Sequence, residues 1–268
     1  MAMLTGGLAL DALLEAMEAN LHGHVSFLQR QVPVMYVHDS DGFLLVDSGL
    51  ASDTFNKICR ARLQRGDAAA RIAEAIGYFR RVERPFAWWV GPCSTPDNLA
   101  ALLEQAGLCR SESEIGMAAD LAALPASVQM PDGLAIRRVA TRDELLDFAA
   151  VNAANWNPPD PYVIQFFALG ADILLQPDCP MRLYVGYLDE TAVASAETFL
   201  GGGVAGIHMV STRREFQRRG IGLAMTWAAA NAGRQAGMTT ATLQASAEGQ
   251  GVYERLGFRA CCEFVEWQ

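Results

Sequence analysis

The chain predicts an α/β protein whose sheets are mixed, mostly antiparallel, and flanked by helices. Three observations carry that expectation. The β-prone runs Met181 to Leu188, Ala192 to Leu200 and Val204 to Val210 are joined only by Asp189-Glu190 and Gly201-Gly202-Gly203, so they read as an antiparallel meander. Stretches with apolar residues at helical spacing alternate with β-prone runs along the whole chain. Near the end, the strand Ala205 to Val210 leads through a short basic loop into a long helical stretch, Leu223 to Ala236.

Taken in order, Leu8 to Leu21 has helical periodicity, with Asp11, Glu15 and Glu18 on its polar side. Pro33 to Val37 and Gly42 to Val46 are β-prone, and the turn between them ends in Asp41-Gly42, a hairpin signal. Asp67 to Arg81 reads as a helix that stops before Pro85, and Phe86 to Val90 as an aromatic strand. Asp97 caps a helix from Asn98 to Gln105, which Gly107 ends. Ile115 to Leu121 is a further strand candidate. Pro125 to Gly133, with two prolines and a glycine, reads as a linker and divides the chain into residues 1–125 and 126–268. Beyond it, Leu134 to Arg138 is a strand, and Thr141-Arg142-Asp143-Glu144 is a capping box opening a helix to about Asn155. Asn157 to Pro161 is a loop, and Val163 to Leu169 is a short apolar helix. Thr240 to Ala245 and Cys261 to Trp267 supply the last strands.

Composition limits the function classes. The 268 residues are 51% hydrophobic and 19% charged, enough for a large core. No apolar run reaches the roughly 20 residues that span a bilayer, and the N-terminus lacks the basic start of a secretory signal. A cytoplasmic location is expected. The six cysteines have no metal-type spacing, so no metal is expected and the thiols are expected reduced. A net charge of −9 argues against nucleic acid and anionic membranes as partners, and suits a cationic or amine partner.

The loop Gln217-Arg218-Arg219-Gly220-Ile221-Gly222 is where chemistry is most legible. The first N–H groups of a helix have no internal partner, and the helix dipole favours an anion there. Gly220 and Gly222 remove the Cβ atoms that would hold a phosphate away from the backbone. Arg213, Arg214, Arg218 and Arg219 add positive charge. The ordinary alternative is a strand-to-helix turn with solvated arginines.

The order Gln-x-x-Gly-x-Gly, helix, strand, then Tyr253-Glu254-Arg255-Leu256-Gly257-Phe258 resembles the GNAT acetyltransferase superfamily over about residues 134 to 268. The resemblance implies a GNAT fold and acetyl-coenzyme A as co-substrate. Its pyrophosphate would lie on Phe216, Gln217, Arg218, Arg219, Gly220, Ile221 and Gly222. The preceding strand would splay from its neighbour and offer the backbone around Val210 to the pantetheine arm. Tyr253 matches the family tyrosine that protonates the leaving thiolate; its alternative is packing a helix on the sheet. Ser246 stands where many relatives carry a cofactor-touching asparagine, and a serine here also suits a helix N-cap. Glu197, central in its strand, stands where relatives often place a catalytic glutamate; pairing with an arginine or facing solvent are its alternatives. His208 is a rival base or a packed histidine. Trp156, Tyr162, Phe166 and Phe167 are candidates to line an acceptor site beside the loop Asn155 to Tyr162, Trp156 first among them.

Leu103-Glu104-Gln105-Ala106-Gly107-Leu108 resembles Tyr253 to Phe258 at an offset of 150 (253 − 103). The N-terminal half therefore reads as a degenerate copy of the same fold. It has no Q-x-x-G-x-G, and Leu103 replaces the tyrosine. The function implied is acetyl transfer from acetyl-coenzyme A to a small-molecule or peptide amine. A non-catalytic acyl-coenzyme A binding module is the alternative, and an enzyme using another acyl group or a hydroxyl acceptor is a second.

Overall fold

Two runs of the same element order make up the molecule. The computed structural model describes residues 8–268. After helix α1 (Leu10–Phe27) the first run is β1 (Tyr36–Asp39), β2 (Leu44–Asp47), β3 (Lys57–Cys59), α2 (Ala68–Val82), β4 (Ala87–Val90), α3 (Leu99–Gln105) and β5 (Arg110–Asp120). Next come β6 (Leu134–Arg138), α4 (Arg142–Ala153), α5 (Pro161–Leu169) and α6 (Ala171–Leu174). The second run is β7 (Met181–Leu188), β8 (Thr191–Gly201), β9 (Val204–Thr212), α7 (Ile221–Gln235), β10 (Thr240–Ala245), α8 (Gln250–Glu254) and β11 (Arg259–Trp267). Helices α2 and α7 hold the same place in each run, and each has 15 residues.

All strands join one 11-stranded sheet in the order β1-β2-β3-β4-β11-β5-β10-β9-β8-β7-β6. The pairs β3–β4 and β9–β10, each joined by a crossover through one helix, are parallel; the other pairs are antiparallel. The final strand of each run is exchanged. β5 pairs with β10, and β11 pairs with β4, so the two runs are stitched through their last strands.

Local chemistry explains the elements around the site. The Thr141–Glu144 capping box forms, with Glu144 N–H donating to Thr141 Oγ1 at 3.2 Å and Glu144 Oε2 accepting from Thr141 N–H at 3.2 Å. Asp160 caps α5, accepting from Tyr162 N–H at 2.8 Å, with Pro161 in the first turn where its missing N–H costs nothing. Strand β8 is buried on both faces from Ala192 to Phe199. Its Thr198 donates to the Ala229 carbonyl of α7 at 2.7 Å, so the neighbouring Glu197 faces the opposite layer, where α1, α4 and α5 pack. Phe148 of α4 and Phe167 of α5 fill that layer, and Ile221, Met225 and Ala229 of α7 fill the other.

Helix α1 runs six residues beyond its expected end at Leu21 (27 − 21) and crosses the meander. Gly202 is required there. A Cβ on it would lie 2.7 Å from Asn20 N and 2.8 Å from Ala16 O, and its φ is +60°. Glu18, expected on the polar face of α1, is buried instead. Strand β3 falls where no strand is expected, between Asn56 and Arg60. The six cysteines form no disulfide. No helix among the described residues is long and apolar enough to cross a membrane.

Candidate functional site

Strands β9 and β10 pair only at Ala205–Ala241 and Thr242–Gly206, then diverge. The edge of β9 from His208 to Thr212 is thus left without a partner on the β10 side. Divergence coincides with a bulge: Ser195 pairs with Ser211 and Glu197 with His208, so Met209 and Val210 face the single residue Ala196. Met209 takes a φ of +49°, and its carbonyl accepts from Ser195 Oγ at 2.9 Å. Ser211 donates to Asn155 Oδ1 at 2.7 Å, which ties β9 to the end of α4.

The strand ends in a one-turn 3-10 helix, Arg214–Phe216, and an exposed loop that enters α7. Gln217 Nε2 donates to the Thr212 carbonyl at 3.0 Å, closing the loop onto β9. Arg218 at φ +62° and Gly220 at φ +79° alternate left-handed backbone through the loop, the kind of turn in which successive N–H groups can form an anion-binding concavity. The backbone N–H groups of Arg218, Arg219, Gly220, Ile221, Gly222 and Leu223 have no hydrogen-bond partner among the described residues. Packing does not explain Gly222: the nearest atom to a Cβ there is Thr212 Oγ1 at 3.7 Å. What a side chain would obstruct is the approach of something from outside. Arg213, Arg214, Arg218 and Arg219 take part in no ion pair among the described residues. Arg219 lies over the Phe216 ring, 5.4 Å from its centroid. A helix start with unpartnered N–H groups, in a segment whose four arginines are not neutralised, has the chemistry of an anion site.

Tyr253 stands on α8, past the end of β10, with its ring edge-on to Phe258 at 6.2 Å. No side-chain hydrogen bond ties its hydroxyl. Burial, and then the Glu114 carboxylate, push its phenol up to about 12, which keeps it a proton donor at neutral pH. Ser246 Oγ accepts from Gly249 N–H at 3.3 Å, so the serine caps the turn into α8.

Glu197 is buried, but neither alternative expected for it holds: it pairs with no arginine and faces no solvent. Its Oε1 lies 2.8 Å from Nε2 of His24 on α1, close but off the line of a well-formed hydrogen bond. The His24 ring stacks on His208 at 3.9 Å. Asn20 Nδ2 donates to the carbonyls of Phe199, Gly201 and Val204, which turns Oδ1 toward His208 Nε2 at 3.1 Å. An amide oxygen only accepts, so His208 must donate from Nε2. Burial and the neighbouring His24 hold its pKa well below 6.5. His208 is therefore a neutral, bonded histidine rather than a free base.

Beside Glu197 lies a cavity of about 70 Å³, reached by His24, Gln29, Phe55, Phe166, Phe167 and Met209 among others. Trp156 and Tyr162 do not line it, and Trp156 is exposed. Proline-rich flanks made Trp156 conspicuous in the sequence, but the loop turns it outward. His24 and Asn20 escaped the sequence reading because they are ordinary residues on a helix remote in sequence from β8.

Residues 143–258 match the model of the acetyltransferase (GNAT) family. No curated protein matches the chain in sequence. A GCN5-related N-acetyltransferase from Kribbella flavida is similar in fold, with a TM-score of 0.68, 17% identity and coverage of 92% of this chain and 95% of that one. One from Sphaerobacter thermophilus has a TM-score of 0.63 at 18% identity, over 96% of this chain and 90% of its own. A tandem GNAT protein from the clavulanic acid biosynthesis pathway has a TM-score of 0.59 at 15% identity, over 96% and 93% of the two chains. Residues 143–258, which contain the diverging strand, the open loop and the phenol of Tyr253, form a domain of the acetyltransferase (GNAT) family.

Proposed function

We propose that this protein transfers an acetyl group from acetyl-coenzyme A to an amine, using one site in residues 126–268. The observation that carries the proposal is the fork between β9 and β10, which opens onto six free N–H groups at the start of α7. Arg218 to Gly222 would hold the pyrophosphate, with Phe216 and Gln217 shaping the loop. The free edge of β9 around Val210 would take the amide-rich arm. Bound acetyl-coenzyme A supplies the activated acyl group. The residues do the rest: the N–H groups and arginines bind and orient, and Tyr253 holds a proton for the departing thiolate. Ser246 keeps α8 in place at the mouth.

Residues 1–125 are the second, degenerate unit in this reading, each unit lending its last strand to the other. Its own fork does not stay open, because β3 and β4 part after Ile58–Trp88 and rejoin at the Arg62–Thr95 bridge. Helix α2 starts from Asp67, which stands 153 residues before Gly220 (220 − 67) and presents a carboxylate where an anion would have to sit. A cytoplasmic protein acting on a soluble amine, without nucleic acid, fits the net charge of −9.

Calorimetric titration with coenzyme A, together with thiol release from acetyl-coenzyme A in the presence of an amine panel, tests the proposal. Binding with amine-dependent thiol release is the expected result. Binding without release by any amine would favour a non-catalytic acyl-coenzyme A module.

A further inference from the structure

Helix α1 brings a titratable side chain to the strands of the C-terminal half. His24 and Glu197 touch, but they are unequally accessible: the imidazole side chain keeps 18% of its surface and the carboxylate 1%. The imidazole is thus the more open of the two, although its Nδ1 is covered. His24 Nδ1 is buried without a partner, and so is Gln29 Oε1. Both residues line the small cavity with Glu197, and Phe55, Phe166, Met181 and Met209 supply apolar wall. Lys57, the one cation on the lining, is taken up by Glu266 Oε2 at 3.1 Å. His208, stacked on His24 from β9, is neutral and donates to Asn20. The unpartnered atoms are thus acceptors at one end of an apolar cavity, and Met209 places that cavity beside the bulge of β9. A compact group bearing N–H donors complements it.

We propose that His24 is the base of the transfer, that Glu197 orients it, and that the acceptor is a compact primary amine with an apolar or aromatic body. This rests on the acetyl transfer proposed above. With its proton on Nε2, 2.8 Å from Glu197 Oε1 though off a hydrogen-bond line, His24 keeps the lone pair of Nδ1 free, and the charge of the nearby carboxylate stabilises the imidazolium that forms. The amine nitrogen bonds to the acetyl carbonyl carbon, and the carbon–sulfur bond breaks with its electron pair on sulfur. The surplus nitrogen proton passes to His24 Nδ1, and the thiolate takes a proton from Tyr253 or solvent. An amino acid would bring its carboxylate against Glu197, and a polyamine would bury a second charge among the phenylalanines.

The test uses the full chain, with benzylamine, isobutylamine, glycine and spermidine as probes. Benzylamine or isobutylamine is expected to exceed glycine and spermidine by tenfold or more in kcat/KM. His24→Gln should lower kcat by about 10²–10⁴-fold with coenzyme A affinity kept. In His24→Ala, added imidazole should restore part of the rate, increasingly as pH rises and the free base accumulates. Glu197→Gln should lower kcat while the KM for the amine and the coenzyme A affinity stay nearly constant, a split that a merely structural loss would not give. Full turnover in His24→Gln, an unchanged kcat in Glu197→Gln, or a preference for spermidine would overturn the proposal while leaving acetyl transfer standing. Failure of the wild-type chain to bind coenzyme A would remove the functional reading and this inference with it. If His24 variants do not fold, the kcat of Glu197→Gln decides alone.

Discussion

The buried carboxylate of Glu18 accepts a hydrogen bond from the backbone N–H of Cys93 at 2.9 Å. Its other oxygen takes Arg62 at 2.8 Å, and a Cβ on Gly91 would lie only 2.3 Å from Oε1. Glu18 therefore fills the gap where β3 and β4 part. Its counterpart between β9 and β10 is left open. A fixed internal anion occupies the N-terminal gap, and backbone groups that would greet a ligand there are already bonded.

Removing that anion should cost stability without touching the other fork. Glu18→Ala strands the Cys93 N–H and leaves Arg62 with the 3.6 Å contact to Glu15 as its one ion pair. A loss of about 1–3 kcal/mol is expected, read as a lower urea midpoint, with coenzyme A affinity unchanged in calorimetry. An equally large fall in affinity would show that the two forks are not independent.

Gly222 and Gly220 should separate two effects. A Cβ on Gly222 meets nothing closer than Thr212 Oγ1 at 3.7 Å, so Gly222→Val is expected to fold normally and to bind coenzyme A about 10–100-fold more weakly, the equivalent of one charge-assisted hydrogen bond lost at about 1.5–3 kcal/mol. Gly220 is also held at φ +79°, so Gly220→Val should lose melting temperature as well as affinity. Calorimetry and thermal melts on both variants check this; unchanged affinity in a folded Gly222→Val would empty the loop of its assigned role.

Tyr253→Phe keeps the ring against Phe258 and removes only the hydroxyl. Turnover should fall by about 10²–10⁴-fold with coenzyme A affinity nearly constant, the pattern of an interaction made chiefly in the transition state. Because burial and Glu114 push the phenol up to about 12, the descending limb of kcat should lie above the ordinary phenol value of about 10 in the wild type. Glu114→Gln should bring it down.

Two histidines make the fold acid-sensitive. Burial first, then Arg60 and Arg62, lower His22 to about 3, and His208 also lies well below its ordinary value. The unfolded chain takes these protons near about 6.5, where the native state refuses them. Stability is thus full above that pH and falls as pH drops below it, by at most about 1.4 kcal/mol per pH unit per histidine. Urea midpoints across that range should show a shallower slope in His22→Gln and in His208→Gln than in the wild type.

The sequence made local features legible and tertiary ones not. The Thr141 capping box, the meander and the Gln217 to Gly222 loop depend on neighbours a few residues apart, and each is found where spacing puts it. Strand β3 was hidden because three residues, Lys57-Ile58-Cys59, are too few to alternate. The environment of Glu197 was hidden for a different reason: its partner lies 173 residues earlier (197 − 24), on a helix whose pattern announces only that it is amphipathic. Glu18 shows the same limit, since the helical wheel assigns it to water and the tertiary fold assigns it to Cys93. For Trp156, local composition pointed to a binding residue and the loop geometry turned it to solvent.

The exchange of β5 and β11 also has a meaning in time. While the polypeptide is being synthesised, β1 to β4 can be complete in length long before Arg259–Trp267 exist, and the edge of β4 must wait for them. During that interval β5 lacks both of its eventual neighbours, β10 and β11. Pairing across such a sequence distance is slow, and an unpaired edge invites foreign strands. The first-made half is thus the last to be sealed, and its solubility on the ribosome depends on residues not yet translated.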